Sequence, residues 1–211
     1  MGDAKIAYMV LGPFMTNTYI LYDEALKKAS IIDPSFTPES ILKFLSEKEL
    51  DVESILLTHA HVDHIAGLNQ IRKEYPYSKT YMSKQDEAYL TDPSKNLSDS
   101  FPTPVICEAP DVWISNKETI HTLGEDLLVL STPGHTPGGV SYYWKEKHIV
   151  FTGDALFQGS IGRTDFPGGN MDELLSSIRE NLFVLPDDTI VLSGHGSPTT
   201  IGIEKKSNPF F

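Results

Sequence analysis

The stretch from Thr58 to His64 concentrates side chains that bind metal ions. It contains four metal-capable residues within six positions: His59, His61, Asp63 and His64. Neutral imidazole and ionised carboxylate are preferred ligands of zinc and similar divalent ions. A polar loop that happens to be rich in histidine is the alternative interpretation, but three of the seven histidines in the chain fall in this one segment. The stretch therefore predicts a metal site.

The spacing within this stretch indicates that one loop can serve two ions. His59 and His61 are two positions apart, so they project to the same side only where the backbone is extended. Two histidines on one face of a helix would be four apart. Asp63 and His64 are adjacent and point apart unless the chain turns. We therefore expect His59 and His61 to face one ion and Asp63 and His64 to face another.

Three later segments share one pattern, in which an apolar strand leads through Ser or Thr to a glycine directly before a metal-capable residue. These residues are His135, Asp154 and His195. Glycine adopts backbone angles that other residues resist, and loops at strand ends commonly carry sites. Each pair alone is typical of an ordinary turn, but together with the first stretch they predict a single centre. His121 and His148 lack the pattern and are expected to be surface or strand histidines.

Composition and charge limit the functions to consider. The 211 residues fit one domain spanning 1–211, and 29 acidic against 17 basic residues give a net charge of −12. This charge repels phosphate backbones, so we expect a small-molecule substrate and no nucleic-acid partner. Cys107 is the only cysteine, which excludes an internal disulfide and a cysteine-based zinc cluster. No apolar run is long enough to span a bilayer. The run from Ile6 to Met15 resembles a strand and turn more than a signal segment. We therefore expect a cytoplasmic protein with no membrane contact.

Hydrophobic patterning predicts two strand-rich halves with helices interspersed. Residues 4–11, 17–22 and 29–33 are typical of a β-meander, and Thr37 with Pro38 predicts the N-cap and first residue of a helix. Further helices are expected at 66–74, from a Ser83 cap to about Leu90, and at 171–184. Residues 91–111 are expected to form a long loop. Further strands are expected near 55–57, 79–82, 112–115, 127–131, 139–144, 148–152 and 189–192. Such halves favour two sheets packed face to face with helices outside.

At this point the residues resemble the metallo-β-lactamase superfamily. The resemblance rests on the motif His-x-His-x-Asp-His at 59–64 and on the three later ligands, in the same order along the chain. It implies an α+β fold, an αββα four-layer sandwich of two mixed sheets flanked by helices. It also implies that a first metal is bound by His59, His61 and His135, a second by Asp63, His64 and His195, and that Asp154 bridges both.

Within the superfamily the chain is similar to the glyoxalase II-like hydrolases, through residues 132–138, 153–157 and 162–166. Arg163 stands where glyoxalase II often has a basic residue near the glutathione carboxylate, and a salt bridge within its own loop is the alternative role. Glyoxalase II also has a C-terminal helical domain that grips glutathione. Sixteen residues follow His195, too few for such a domain.

The resemblance and the ligand chemistry together predict a hydrolase with two divalent ions and a bridging hydroxide. Zinc is the expected metal, with iron and manganese as alternatives, and Asp63 and Asp154 would orient the hydroxide. A thioester suits this site because a thiolate leaves without a proton donor, whereas an amide nitrogen needs one. The alternatives are a persulfide dioxygenase with one iron on His59, His135 and Asp154, and a metal-binding protein without catalysis.

Overall fold

A computed structural model describes residues 4–211. The first six strands are β1 (Lys5–Leu11), β2 (Thr16–Asp23), β3 (Lys28–Ile32), β4 (Asp51–Leu56), β5 (Lys79–Ser83) and β6 (Val112–Ile114). They form one sheet in sequential order. The pairs β1–β2 and β2–β3 are antiparallel and the later pairs are parallel, so the sheet is mixed.

The later strands are β7 (Thr119–Thr122), β8 (Glu125–Ser131), β9 (Val140–Trp144), β10 (Ile149–Gly153), β11 (Leu156–Phe157), β12 (Ser160–Ile161), β13 (Ile190–Ser193) and β14 (Thr199–Thr200). Strands β11 and β12 form a separate hairpin. The others form a second sheet in the order β14-β13-β10-β9-β8-β7, in which β10 and β13 are parallel.

The helices are α1 (Glu39–Glu47), α2 (Val62–Ile65), α3 (Leu68–Glu74), α4 (Pro93–Asn96), α5 (Met171–Ser177) and α6 (Ile201–Ser207). Two 3-10 helices cover Lys84–Leu90 and Lys145–Lys147, and α5 continues as a π-helix over Ile178–Leu182. Among residues 4–211, no helix is both long enough and apolar enough to cross a membrane.

Three apolar clusters create the layers of the fold. The first packs helices α1 and α3 against the outer face of the first sheet, through residues such as Ile41 and Ile71. The second fills the space between the sheets, where Trp144 and Phe151 are fully buried. The third packs α5 and the π-helix against the second sheet. The order helix, sheet, sheet, helix confirms the predicted four-layer sandwich.

Several sequence predictions need correction at element ends. Thr37 does not cap α1, because its hydroxyl donates to the carbonyl of Phe36 at 2.6 Å, and Pro38 occupies the cap position without a side-chain bond. Ser83 does precede a helix, but a 3-10 helix, and its hydroxyl donates to Gln85 Oε1. Strands β7, β11, β12 and β14 and helix α6 were not predicted. They have two to seven residues each, too few for a clear period.

The segment predicted as a long loop, 91–111, contains α4 and is held by side-chain hydrogen bonds. The amide of Asn96 donates to the carbonyls of Tyr89 at 2.8 Å and Val105 at 2.9 Å, which closes the segment on itself. Cys107, near the end of this segment, is a buried free thiol. The closed segment carries Phe101 toward the metal-capable residues.

Candidate metal centre

The loop after β4 presents its ligands in the way that the spacing predicts. His61 has an extended backbone, with φ −73° and ψ 152°, so His59 and His61 project to the same side. Their ring centroids are 4.9 Å apart. Helix α2 begins at the next residue, and its turn separates Asp63 from His64. The local backbone change from extended to helical thus gives one loop two ligand sets.

The other three ligands arrive from the second sheet at the ends of β8, β10 and β13. The glycine before each ligand allows a close approach that a side chain would block. A Cβ atom on Gly153 would lie 2.3 Å from Thr58 Oγ1, and one on Gly194 would lie 2.2 Å from Asp154 Oδ1. Gly134 has φ +126°, a conformation that favours glycine, and its Cβ would lie 2.3 Å from the backbone nitrogen of Leu174.

The structure brings all seven predicted ligands together. Three groups have ligand atoms within 4.8 Å of one another: His59, His61 and His135; His59, His64 and Asp154; and Asp63, His64 and His195. The first and third groups match the two predicted sets. His121 and His148 lie outside the centre, where they pair with Asp126 and Asp188 on the surface.

Asp154 lies between the two sets. Its Oδ1 atom is 3.3 Å from His64 Nε2, and its Oδ2 atom is 3.6 Å from His135 Nε2 and 3.4 Å from His195 Nε2. One carboxylate therefore lies close to members of both sets, with Oδ2 near His135 and His195 and Oδ1 near His64. This is the arrangement that a bridging ligand requires.

The buried polar atoms of the centre fit bound cations. His59 Nε2, His61 Nε2, His64 Nε2 and Asp154 Oδ1 are all buried without a hydrogen-bond partner in the protein. Leaving such atoms unsatisfied is costly, so four of them in one centre need an explanation. Imidazole and carboxylate donors suit zinc, iron and manganese, and cations bound by the two ligand sets would satisfy these four atoms.

Electrostatics of the side chains agree with this interpretation. Burial lowers the pKa of His59 well below its usual value and that of His61 to about 3, so both rings are neutral, as metal ligands must be. Burial also acts to lower the pKa of His64, but the carboxylates of Asp63, Asp154 and Asp33 outweigh it and raise that pKa. The pKa of His195 rises to about 10 because hydrogen bonds to Asp154 and Asp63 outweigh its burial. The carboxylates around His64 and His195 thus favour a positive charge at this end of the centre.

Residues that the sequence analysis did not single out hold the ligands in place. Asp33, buried, accepts hydrogen bonds from His64 Nδ1 at 2.8 Å and from the backbone nitrogen and hydroxyl of Thr58 at 2.8 and 2.6 Å. The hydroxyl of Thr16 donates to Asp63 Oδ2 at 2.7 Å. Such partners fix the orientation and tautomer of ligands. Asp33 directly follows the apolar residues Ile31 and Ile32 of β3 but lacks the Ser or Thr and the glycine that precede the later ligands, so that pattern did not single it out.

A cavity of about 630 Å³ opens above the centre. Its apolar walls include four phenylalanines from different parts of the chain: Phe14, Phe101, Phe157 and Phe166. Phe101 belongs to the 91–111 segment and stacks on Phe36 at 5.7 Å between ring centroids. The segment that had no predicted structure therefore builds one wall of this substrate cavity.

Arg163 lies at the rim of the substrate cavity, but its guanidinium is engaged within its own loop. Nε and Nη2 donate to the two carboxylate oxygens of Asp165 at 2.9 and 2.7 Å, and the group lies 4.2 Å over the ring of Phe166. The backbone carbonyl of Arg163 is 2.7 Å from His135 Nδ1. This loop thus orients a ligand through its backbone, and contact of the guanidinium with substrate stays a prediction.

Comparisons with known proteins agree with the geometry. A family model for the metallo-beta-lactamase superfamily matches residues 11–195. The chain is 40% identical to the hydroxyacylglutathione hydrolase GloC of Haemophilus influenzae, over 93% of both chains. The crystal structure of the BLEG-1 B3 metallo-beta-lactamase is 40% identical, with a TM-score of 0.91 over 98% of this chain and 99% of that one.

A further solved structure, that of TTHA1623 in a di-iron-bound form, is 32% identical with a TM-score of 0.85 over 97% of this chain and 100% of that one. The superfamily resemblance predicted from the motifs is therefore confirmed. With its seven converging ligands and its sandwich fold, the chain belongs to the metallo-β-lactamase superfamily as one of its metal-binding hydrolases.

Proposed function

We propose that this chain is a dinuclear metal-dependent hydrolase that cleaves thioesters. The observation that carries the proposal is the position of Asp154, whose largely buried carboxylate lies within 3.3–3.6 Å of His64 and His195 from one ligand set and of His135 from the other. With three further ligands on each side, the chain offers more donors than one ion needs. We propose His59, His61 and His135 for one ion, Asp63, His64 and His195 for the other, and Asp154 for both.

Two divalent ions, when bound, supply a water of lowered pKa and an electrophile that polarises a carbonyl. The chain's own residues supply position. The carboxylates of Asp63 and Asp154 are hydrogen-bond acceptors at the centre and can orient the attacking water toward the substrate cavity. Thr16 holds Asp63, and Asp33 holds His64, so these groups are fixed before substrate arrives.

The lining of the substrate cavity supports a thioester over an amide. A thiolate has a pKa near ~8.5 and leaves without protonation, whereas an amine needs a proton donor. Besides the proposed metal ligands, the described titratable residues that line the cavity are Asp99 and Arg163, and Arg163 is paired with Asp165; there is no lysine, tyrosine, cysteine or glutamate among them. The name of the Haemophilus relative, a hydroxyacylglutathione hydrolase, points to the same class of substrate.

Two other functions compete with thioester hydrolysis: lactam hydrolysis and persulfide oxidation. The name of the BLEG-1 relative, a B3 metallo-beta-lactamase, suggests a lactam substrate. A persulfide dioxygenase with one iron on His59, His135 and Asp154 would leave the ligands Asp63 and His195 without a function. Zinc as the metal, a small-molecule substrate without nucleic acid or membrane, and a cytoplasmic location remain predictions from the sequence.

A substrate panel on metal-loaded protein tests the proposal. We expect hydrolysis of S-lactoylglutathione and of simple acyl thioesters, with little turnover of a chromogenic cephalosporin and no oxygen uptake with glutathione persulfide. His195→Gln should abolish thioester hydrolysis, and His121→Gln, at an exposed histidine outside the centre, should not. Efficient cephalosporin cleavage or oxygen uptake without thioester hydrolysis would replace the proposal by the corresponding alternative.

A further inference from the structure

A second cavity lies beside the metal centre and has no role in the chemistry above. This edge trench, of about 580 Å³, runs along β1 and β13 and is lined mainly by Ile6, Tyr8, Val10, Ile190, Leu192 and Pro198. Phe14 and His195 line both the edge trench and the substrate cavity. The edge trench therefore adjoins the substrate cavity at Phe14 and at the proposed metal ligand His195.

The walls of the edge trench are apolar side chains that the fold leaves uncovered. Tyr8 is 65% exposed, Val10 49% and Ile190 40%. Alternate residues of a strand face the same side, and Ile6 packs against the core between the sheets. Tyr8 and Val10 thus continue that core past the margin of the second sheet. Groups of exposed apolar side chains mark binding sites more often than single ones do.

Charge separates the edge trench from the substrate cavity. None of the described residues that line the edge trench is Asp, Glu, Lys or Arg, whereas the substrate cavity has Asp99 and Arg163 in its walls. Two buried polar side chains that line the edge trench are already engaged within the protein. The amide of Asn17 and the hydroxyl of Tyr19 donate to the carbonyl of Ser193 at 3.0 and 2.7 Å. An uncharged chain without hydrogen-bonding groups suits such a surface.

The two cavities therefore suit the two ends of one thioester. Thiols that carry acyl groups contain amides and charges, which need polar partners, so the thiol end fits the substrate cavity, where Asp99 and Arg163 lie beside the phenylalanines. We propose that the edge trench binds the aliphatic chain of the acyl group, and that the preferred substrates are thioesters of medium- and long-chain acids. Hydrolysis breaks the C–S bond, joins the water oxygen to the acyl carbon, and releases a carboxylate, a thiol and a proton. This proposal rests on the proposed thioester hydrolysis.

Chain length is the first test. Full burial of a methylene is worth roughly fourfold in affinity, and a trench open on one side should give about twofold per methylene. We expect KM to fall steadily from acetyl through butyryl and octanoyl to decanoyl thioesters of N-acetylcysteamine, a neutral thiol. Lengthening an S-alkyl chain on the thiol side should not lower KM. A flat acyl profile, or a gain that follows the thiol chain, would overturn the proposal.

A pair of valine variants locates the effect. Val10→Asp places a carboxylate in the edge trench and should lower the decanoyl-to-acetyl ratio of kcat/KM more than about tenfold, because a charge against an alkyl chain is left unpaired. Val184→Asp makes the same change at a valine that is 69% exposed and outside the edge trench, and should leave the ratio unchanged. Equal effects of both variants, or no effect of either, would contradict the assignment.

A binding measurement separates this proposal from the proposed function. S-decyl-N-acetylcysteamine, a thioether that cannot be hydrolysed, should bind with a negative heat-capacity change that Val10→Asp reduces. Binding without any thioester hydrolysis would refute the proposed function but support alkyl-chain binding in the edge trench. Hydrolysis without binding would refute only the alkyl-chain binding. Analytical ultracentrifugation tests whether a second copy of the chain occupies the edge trench instead. A wild-type dimer that Val10→Asp dissociates, with no change in chain-length profile, would mean that a second copy covers this face.

Discussion

Replacing Asp33 by Asn should weaken the metal centre without changing the fold. The backbone of Asp33 has φ +53°, a conformation that Asn also tolerates. The asparagine carbonyl can still accept from the nitrogen of Thr58. Its NH2 group then faces His64 Nδ1 at the position where the carboxylate oxygen accepted at 2.8 Å, so a donor meets a donor. Rotating the amide only moves the conflict to the nitrogen of Thr58.

His64 can relieve the conflict by moving its proton from Nδ1 to Nε2, the atom that faces Asp63 and Asp154. That tautomer has no lone pair for a metal, so binding must first reverse it. Loss of such a partner costs 10–100-fold in metal affinity, or about 1.4–2.8 kcal/mol. The loss should fall on the ion held by Asp63, His64 and His195, and the other ion should be affected less.

A competition titration of zinc against a chromophoric chelator measures the two affinities, and circular dichroism checks the fold. The matched control is Asp23→Asn, which makes the same change at a buried carboxylate that accepts from the nitrogens of Ala25 and Leu26 in the β2–β3 turn. We expect the control to lose stability with unchanged metal affinity. If Asp33→Asn binds both ions as the wild type does, Asp33 does not set the tautomer of His64 and the reasoning is wrong.

Three further predictions test other parts of the site. Cys107→Ser should retain turnover, because burial raises the pKa of this thiol to about 12 and it takes no part in the chemistry, and steady-state kinetics on metal-loaded protein would reveal any loss. Gly162→Ala should reduce metal content measured by elemental analysis, since its Cβ would lie 1.8 Å from the carbonyl oxygen of Asp154 and must displace that residue. Gly159→Ala is the comparison: its Cβ meets nothing within 4 Å, and its φ of +65° adds backbone strain alone, so it should keep its metal content. Asp154→Asn should lower metal binding, hydrolysis and melting temperature together, and chelator-treated wild type should match it in both activity and melting temperature; a variant that keeps two ions and full turnover would mean that Asp154 is not a bridge.

The sequence predicted which metal-capable residues come together, because the pattern that marks them is local. His59, His61 and Asp63 are close in the chain, and their spacing alone separates an extended segment from a helical one. The later ligands follow apolar strands and glycines, so their positions at a sheet edge could also be inferred. Asp33 was missed because it is 31 positions from His64, and only the pairing of β3 with β4 brings the two together.

Irregular structure was the other part that the sequence did not predict. The 91–111 segment owes its shape to hydrogen bonds of Asn96 and Ser98 with distant carbonyls, and such contacts leave no periodic pattern. Its contribution of Phe101 to the substrate cavity was therefore not foreseen. The role of Arg163 was left open between substrate and loop, and the observed pair with Asp165 belongs to the loop.

The number of metal ions per chain tests the central claim most directly. Seven ligands in two sets with Asp154 between them predict about two ions per chain, counted by elemental analysis of zinc-loaded protein in parallel with its thioesterase activity. Activity should rise with the occupancy of the second ion. One ion or fewer per chain at full activity, with His64 and His195 dispensable, would contradict the dinuclear centre.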